Sequence, residues 1–404
     1  MTNTAITKNK TLLRFPDFNS EWELKKIGSI LSRYSEPVEV DSNELYQEIG
    51  IRSHGRGIFH KEPVTGKSLG NKRVFWVKED LFILNIVFAW EQAVAITSND
   101  ERGFIASHRF PMYKPKENIL DLKFILYLFL TERGKYLLEM ASPGGAGRNK
   151  TLGQKAFDEL EIRIPSINEQ QKISGFLSKF DDLIFRLDLK INYLKEYKKG
   201  LCQKLFSGEK RFKNENGQDF QDWKTISLGK VLSIPQKEKP EIIDRSKIFT
   251  VKLHRKGISK SNNTENLSLG ATYYIRKAGQ FIYGKQNLFN GAFGIVPIKF
   301  DNGLTSGDIP ALDIDNDKID SRYLIQFLGR ETYYSKLEAI ASGTGSKRIH
   351  EKALMGLKIK LPSLEEQKKI ADLLDNVDNE IQHFDNKLKS IKRYRKGLLQ
   401  KMFM

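Results

Sequence analysis

The chain says the same thing twice. Ile164-Pro165-Ser166-Ile167-Asn168-Glu169-Gln170-Gln171-Lys172-Ile173 returns as Leu361-Pro362-Ser363-Leu364-Glu365-Glu366-Gln367-Lys368-Lys369-Ile370, and YKKGLCQKLF from Tyr197 returns as YRKGLLQKMF from Tyr394. Both echoes are 197 residues apart, so the stretch between the two blocks has one length in each copy. Chance does not hold two matched blocks in register. The chain is a duplicated unit, and a protein of two similar halves usually engages something that also has two halves.

Between the echoes the two halves follow one plan. Residues 1–14 form a polar N-terminal arm. Residues 15–164 read as a globular domain of short strands (RVFWV, LFILNIVFAW, AVAIT) followed by one helical stretch, DLKFILYLFLTERGKYLLEMA. Residues 212–361 repeat this with IFTVKL, GQFIYG, GAFGIVPIKF and then SRYLIQFLGRETYYSKLEAIA. Trp22 corresponds to Trp223. The aromatic residues Trp76, Trp90 and Tyr283 are assigned mainly to the core.

Each globular domain is followed by a segment of another character, 165–211 and 362–404. Ser166 with Glu169, and Ser363 with Glu366, have capping-box spacing just after a proline. Apolar residues then fall at Ile173, Leu177, Phe180, Ile184, Leu187, Ile191 and Leu194, and at Ile370, Leu374, Val377, Ile381, Phe384, Leu388 and Ile391, in steps of four and three. That is a heptad seam, with Lys198 and Arg395 occupying one seam position in each copy. Either each helix packs on its own domain, or the two pair as an antiparallel coiled coil. The seam's length favours pairing. Gly200 and Gly397, each costly inside a helix, suggest a bend or a close backbone approach.

The expected fold class is therefore α+β (α/β-type): two homologous globular domains separated by two long helices, with pseudo-twofold internal symmetry.

Sixty-seven Lys+Arg against 50 Asp+Glu give a formal net charge of +17. This favours a polyanionic partner, nucleic acid before an anionic membrane, over an enzyme with a merely cationic surface. A single cysteine excludes a disulfide framework within the chain. No histidine pair has metal-ligand spacing, and no run of 18 apolar residues occurs, so the chain reads as soluble and cytoplasmic.

Two glycine-rich loops, Ser142–Lys150 and Ser342–Arg348, lack the spacing of a nucleotide-binding P-loop. Each is either a flexible connection or, with Arg148, Asn149 and Lys150 in one and Lys347 and Arg348 in the other, a DNA contact. Recurrence in both halves favours contact. A second recurring element is basic-x-His-x-basic-Gly-Ile: Arg52, His54 and Arg56 against Lys252, His254 and Lys256, with Arg255 adjacent. Alternating cations on a strand-like segment suit a groove-facing edge. Ser107-His108-Arg109 and Ser306, with Lys285 nearby, follow the central strands and differ between halves, as base-reading positions would. No methyl-donor turn, nuclease cluster or nucleophile elbow is present, so no catalytic residue and no metal ligand is assigned.

With these features in hand, the chain resembles the specificity subunit of Type I restriction–modification systems. The carriers are Leu361–Ile381, Ile164–Ile184, the two Tyr-[Lys/Arg]-Lys-Gly-Leu-x-Gln-Lys-[Leu/Met]-Phe endings, and the stretches Ile51–Phe59, Ser107–Phe110 and Gly291–Pro297. The resemblance implies that the globular segments are target recognition domains, each reading half of a bipartite double-stranded DNA target. The paired helices would set the unread spacer and dock modification (methyltransferase) subunits, two of them. It also implies no cofactor in this chain, with S-adenosylmethionine, ATP and Mg on partner subunits, a motor-nuclease subunit where one exists, no membrane, and a bacterial or archaeal cytoplasm. Two other classes stand beside it: a stand-alone DNA-modifying enzyme, and a non-specific nucleic-acid-binding coiled-coil adaptor.

Overall fold

The computed structural model describes residues 13–144, 150–261, 271–343 and 345–403. The chain divides into two compact units, one of residues 1–188 with 386–404, the other of residues 189–385. Each unit therefore contains a globular domain, the beginning of the long helix that follows it, and the end of the other long helix.

In the first unit a four-stranded antiparallel sheet runs in the order Leu31–Tyr34, Met112–Pro115, Phe82–Leu84, Val94–Ile96. Side chains alternate along the strand Phe82–Leu84. Phe82 and Leu84 join the main core with the helix Leu122–Phe129, while Ile83 joins a smaller core under the hairpin Ile49–Ile51/Ile58–His60. A second ladder pairs Val74–Trp76 with Ile105–Ser107, and Glu23–Lys26 pairs with Glu161–Ile164 to fasten the domain's two ends.

The second unit repeats the sheet order with Leu232–Ser233, Ala311–Ile314, Phe281–Tyr283 and Phe293–Ile295. It repeats the hairpin as Phe249–Val251/Ile258–Lys260, the second ladder as Tyr273–Arg276 with Gly303–Ser306, and the fastening pair as Lys224–Ser227 with Lys358–Leu361.

Two local expectations are corrected. The run LFILNIVFAW is not one strand. After Leu84 the Asn85 side chain accepts from Val87 N at 3.0 Å, and the chain turns into a 3-10 helix at Ala89–Glu91. The helical stretch 121–141 is two helices, Leu122–Phe129 and Glu132–Met140, because Thr131 caps a new start by accepting from Gly134 N. A Cβ at Gly134 would lie 2.1 Å from Leu128 O, so only glycine allows this corner.

The two long helices are Ile167–Ser207 and Leu364–Met402, of 41 and 39 residues, each about 60 Å long. In the first unit Ile173 and Leu177 enter the domain core beside Leu398 and Met402; in the second, Ile370, Leu374 and Val377 enter theirs beside Leu201 and Leu205. Further along, Leu187, Ile191, Leu194 and Leu388 are buried, and Phe180, Ile184, Ile381, Phe384 and Ile391 are half-buried. Ion contacts set the antiparallel direction within each unit: Asp181 with Arg395 and Asp188 with Lys392 in one, Lys198 with Asp378 and Lys190 with Glu380 in the other. So the helix ends serve the domain cores while the middles pair.

The recurring Glu-Gln of each echo does not complete a capping box. Ser363 Oγ does accept from Glu366 N at 3.3 Å, but the Glu366 carboxylate turns away to Arg211 (2.9 and 3.1 Å) and Trp223 Nε1 (2.9 Å). Glu169 likewise takes two bonds from Arg14, both 2.7 Å. Each glutamate is essentially fully buried, and a buried carboxylate needs a cation more than a helix needs a second cap bond. The adjacent Gln170 and Gln367 accept from Asp121 N and Asp320 N, both at 2.9 Å, and donate to Pro165 O and Pro362 O. At Gly200 and Gly397, where a bend or a close backbone approach was expected, no other segment approaches: beyond the helix's own backbone a Cβ at either would meet nothing within 4 Å.

Candidate nucleic-acid interface

In each domain one loop gathers segments that lie far apart in sequence. In the first, Ile86 donates its N–H to Arg109 O (3.0 Å) and accepts from Leu152 N (2.8 Å). A few residues on, Glu91 O and Gln92 O accept from His54 N and Gly55 N at 2.7 and 3.0 Å. The hairpin tip, the His108-Arg109 turn and the exit of the glycine-rich loop thus converge on residues 86–92. The second domain does the same with Lys285: its N–H donates to Asp308 O and its carbonyl accepts from Ile349 N, both 2.9 Å. Asn290 O and Gly291 O accept from His254 N and Arg255 N at 2.8 and 2.9 Å.

The hairpin tips are left-handed turns. His54, Gly55 and Gly57 have φ of 61°, 63° and 76°, and His254, Arg255 and Gly257 have 56°, 56° and 77°. A side chain in this region is costly, and the backbone bonds to the hub loop hold it there. The tip is therefore fixed by backbone bonds, and it leaves His54 and Arg56 in one domain and Lys252, His254 and Lys256 in the other exposed.

The expected contact residues separate by what already occupies them. His54, Arg56, His108, Arg109, Lys252, His254 and Lys256 have side chains with no hydrogen bond or ion pair among the described residues, and all seven are exposed. Arg52 lies over the Phe59 ring at 4.7 Å and donates to Ile58 O. Arg255 is half-buried and donates to Gly329 O at 3.0 Å, closing the end of the helix Ser321–Leu328; Gln92 Nε2 does that work in the first domain, donating to Phe129 O and Thr131 O.

Lys150 is ion-paired to Glu139 and lies 5.6 Å over Trp90. Lys285 pairs with Glu351 at 3.3 Å, and Lys347 with Glu338 at 2.7 Å. Arg348 is half-buried and stands 3.6 Å from Asp308. Ser107 is buried and Ser306 half-buried, each accepting a turn N–H on its carbonyl. Arg148 and Asn149 lie outside the described residues.

Sequence reasoning missed the hub itself, because its residues sit inside an apolar run that reads as strand. Asn85 inside the run is the sequence signal that it turns, and beyond it Ile86 and Val87 are half-buried and Phe88 is 38% exposed. Among the described residues no group of three or more His, Cys, Asp and Glu is placed to hold a metal, and no helix is long and apolar enough to cross a membrane.

The duplication coincides with a known domain. A family model described as the Type I restriction modification DNA specificity domain matches residues 19–194 and again residues 221–393. The chain belongs to the Type I DNA specificity family. Each match to the specificity domain begins beside the half-buried tryptophan of a globular domain, Trp22 or Trp223, and runs into the long helix that follows. Two specificity subunits of Methanocaldococcus jannaschii are similar along nearly their whole length. The Type I restriction enzyme MjaVIII specificity subunit is 25% identical over 408 residues, covering 96% of this chain and 92% of the relative. The putative MjaX specificity subunit is 26% identical, covering 94% and 92%. The crystal structure of the Type I restriction–modification S subunit from M. genitalium shares the fold, with a TM-score of 0.62 at 16% identity, covering 98% of this chain and 99% of that one.

Proposed function

We propose that this specificity subunit reads a bipartite DNA target, one half-site per globular domain, and leaves the chemistry to other subunits. The observation that carries the reading is the duplicated hub. In both domains the same backbone bonds hold a cationic tip beside a turn whose side chains differ, His108-Arg109 in one and Gly307-Asp308 in the other. A constant scaffold presenting different side chains is what two different half-sites require. Cations free of protein partners supply phosphate affinity, and the variable turn supplies base contacts.

The paired helices act as the spacer ruler and dock modification subunits, two per chain. These bring S-adenosylmethionine and methylate the target, and a motor-nuclease subunit, where present, brings ATP and Mg. The chain itself is a non-catalytic subunit and works in the cytoplasm of a bacterium or archaeon. The domain limits for this reading are 15–164 and 212–361, with 165–211 and 362–404 as spacer helices.

Exchange of residues 15–164 for another reader domain tests it. The methylated target changes in one half only; a change in both halves, or in neither, contradicts the proposal.

A further inference from the structure

The second domain contains a polar cavity of about 230 Å³ beside its hub, lined by Lys237, Tyr274, Arg276, Lys285 and Glu351 among others. Arg276 is the unusual member. It is 5% exposed, yet its hydrogen bonds go to neutral oxygens, Thr305 Oγ1 at 2.7 Å and Ile309 O at 2.9 Å. Among the described residues it has no carboxylate within ion-pair distance, whereas buried charges are normally paired. Burial pushes its guanidinium down to about 10, so the surrounding groups do not offset desolvation. Glu351 is committed to Lys285 at 3.3 Å. Lys237 is exposed and leans over the Tyr274 ring, 5.9 Å from its centre. The cavity thus gathers three cations, Lys237, Arg276 and Lys285, around one carboxylate, Glu351, which attracts all three but is ion-paired only to Lys285.

The scaffold does not require this. Arg276 faces Gly303 across its ladder, and at the matching rung of the first domain Val77 N bonds Phe104 O. There Phe75, Val77, Ile86 and Gln154 stand where the second domain has Tyr274, Arg276, Lys285 and Glu351. A cluster of charge has been built into one reader alone.

We propose that this cavity is an oxyanion site, taking a phosphoryl group against Arg276 and Lys237. Its occupant is a backbone phosphate of bound DNA, which rests on the DNA reading above, or a free phosphate-bearing ligand of the same chemistry. An anchoring phosphate here positions the second domain on the duplex by a contact the first domain does not make.

The test uses the full chain, a duplex of arbitrary sequence, and the variants Arg276→Val and Lys237→Gln. The exposed lysine variant keeps the test informative should the buried one fold poorly. With DNA as the source, both variants weaken duplex binding roughly ten-fold, and the slope of log affinity against log salt falls by about one. With a free ligand as the source, those values stay at wild type, but millimolar inorganic phosphate raises the melting temperature of wild type and not of the variants. This second result stands even if the wild-type chain binds no duplex, which separates the cavity's failure from that of the DNA reading. Wild-type duplex behaviour in both variants, with no phosphate effect on wild-type melting, overturns the proposal.

Discussion

Lys198 Nζ lies 2.6 Å from Asp378 Oδ1, joining the late part of one long helix to the early part of the other. Its repeat is Asp181 with Arg395, where Nε stands 2.6 Å from Oδ1. The same residue pair, once in each unit, reads as a pseudo-twofold device that interrupts the apolar seam and so fixes its register. Asp378 also accepts from Gln326, and Asp181 from Tyr127, which ties each helix pair to its domain. The aspartates are about two-fifths exposed, so screening limits the energy. A double-mutant cycle with Lys198→Met and Asp378→Asn, read by urea denaturation, gives a coupling of about 1 kcal/mol. Zero coupling removes the register role.

Glu366 carries more. It is 0% exposed and joins Arg211, Trp223 and the start of the C-terminal long helix. The bonds to its carboxylate raise the Arg211 guanidinium above its ordinary value. Glu366→Ala removes the buried acceptor shared by Arg211 and Trp223 Nε1 and lowers stability by about 3 kcal/mol, as does Glu169→Ala in the first unit. Equilibrium unfolding measures this, and a loss under about 1 kcal/mol contradicts the role given to the Glu-Gln echo.

Cations on the second hairpin tip divide by occupation. Arg255→Ala removes the bond to Gly329 O and lowers melting temperature. Lys252→Ala and Lys256→Ala leave melting unchanged but each reduce the salt slope of duplex binding by about one. Reversal of the two patterns contradicts the assignment.

Alkali tests the cores. Burial pushes the Tyr113 hydroxyl up to about 12, and Tyr127, Tyr283 and Tyr323 are raised for the same first reason. Their folded values exceed the unfolded one, near 10, so the stability they contribute is complete below about pH 10 and is lost as pH rises. Tyr113 alone accounts for roughly 2–3 kcal/mol between about pH 10 and 12. Tyrosinate absorbance should therefore rise together with unfolding. Full ionisation of a still-folded chain near pH 10 contradicts this.

The architecture was legible because duplication turns weak local signals into paired ones. A heptad step every three or four residues survives in both copies, and its seam residues are buried or half-buried at each position. What escaped was tertiary. A capping-box spacing looks identical whether its glutamate bonds the backbone or a distant arginine, and Arg14 lies 155 residues from Glu169. Likewise the hub residues Val87 and Phe88 have strand-like propensity, and only the Asn85 turn diverts them. For the interface, sequence located the cationic segments but did not distinguish Lys256, which is free, from Arg255, whose charge is occupied by a helix end.

The most direct test is a map of methylated adenines in a host without enzymes of this kind, expressing the chain with a candidate modification subunit. One split motif is expected, two short half-sites around an unread spacer. A continuous motif, or methylation without sequence preference, contradicts the bipartite reading.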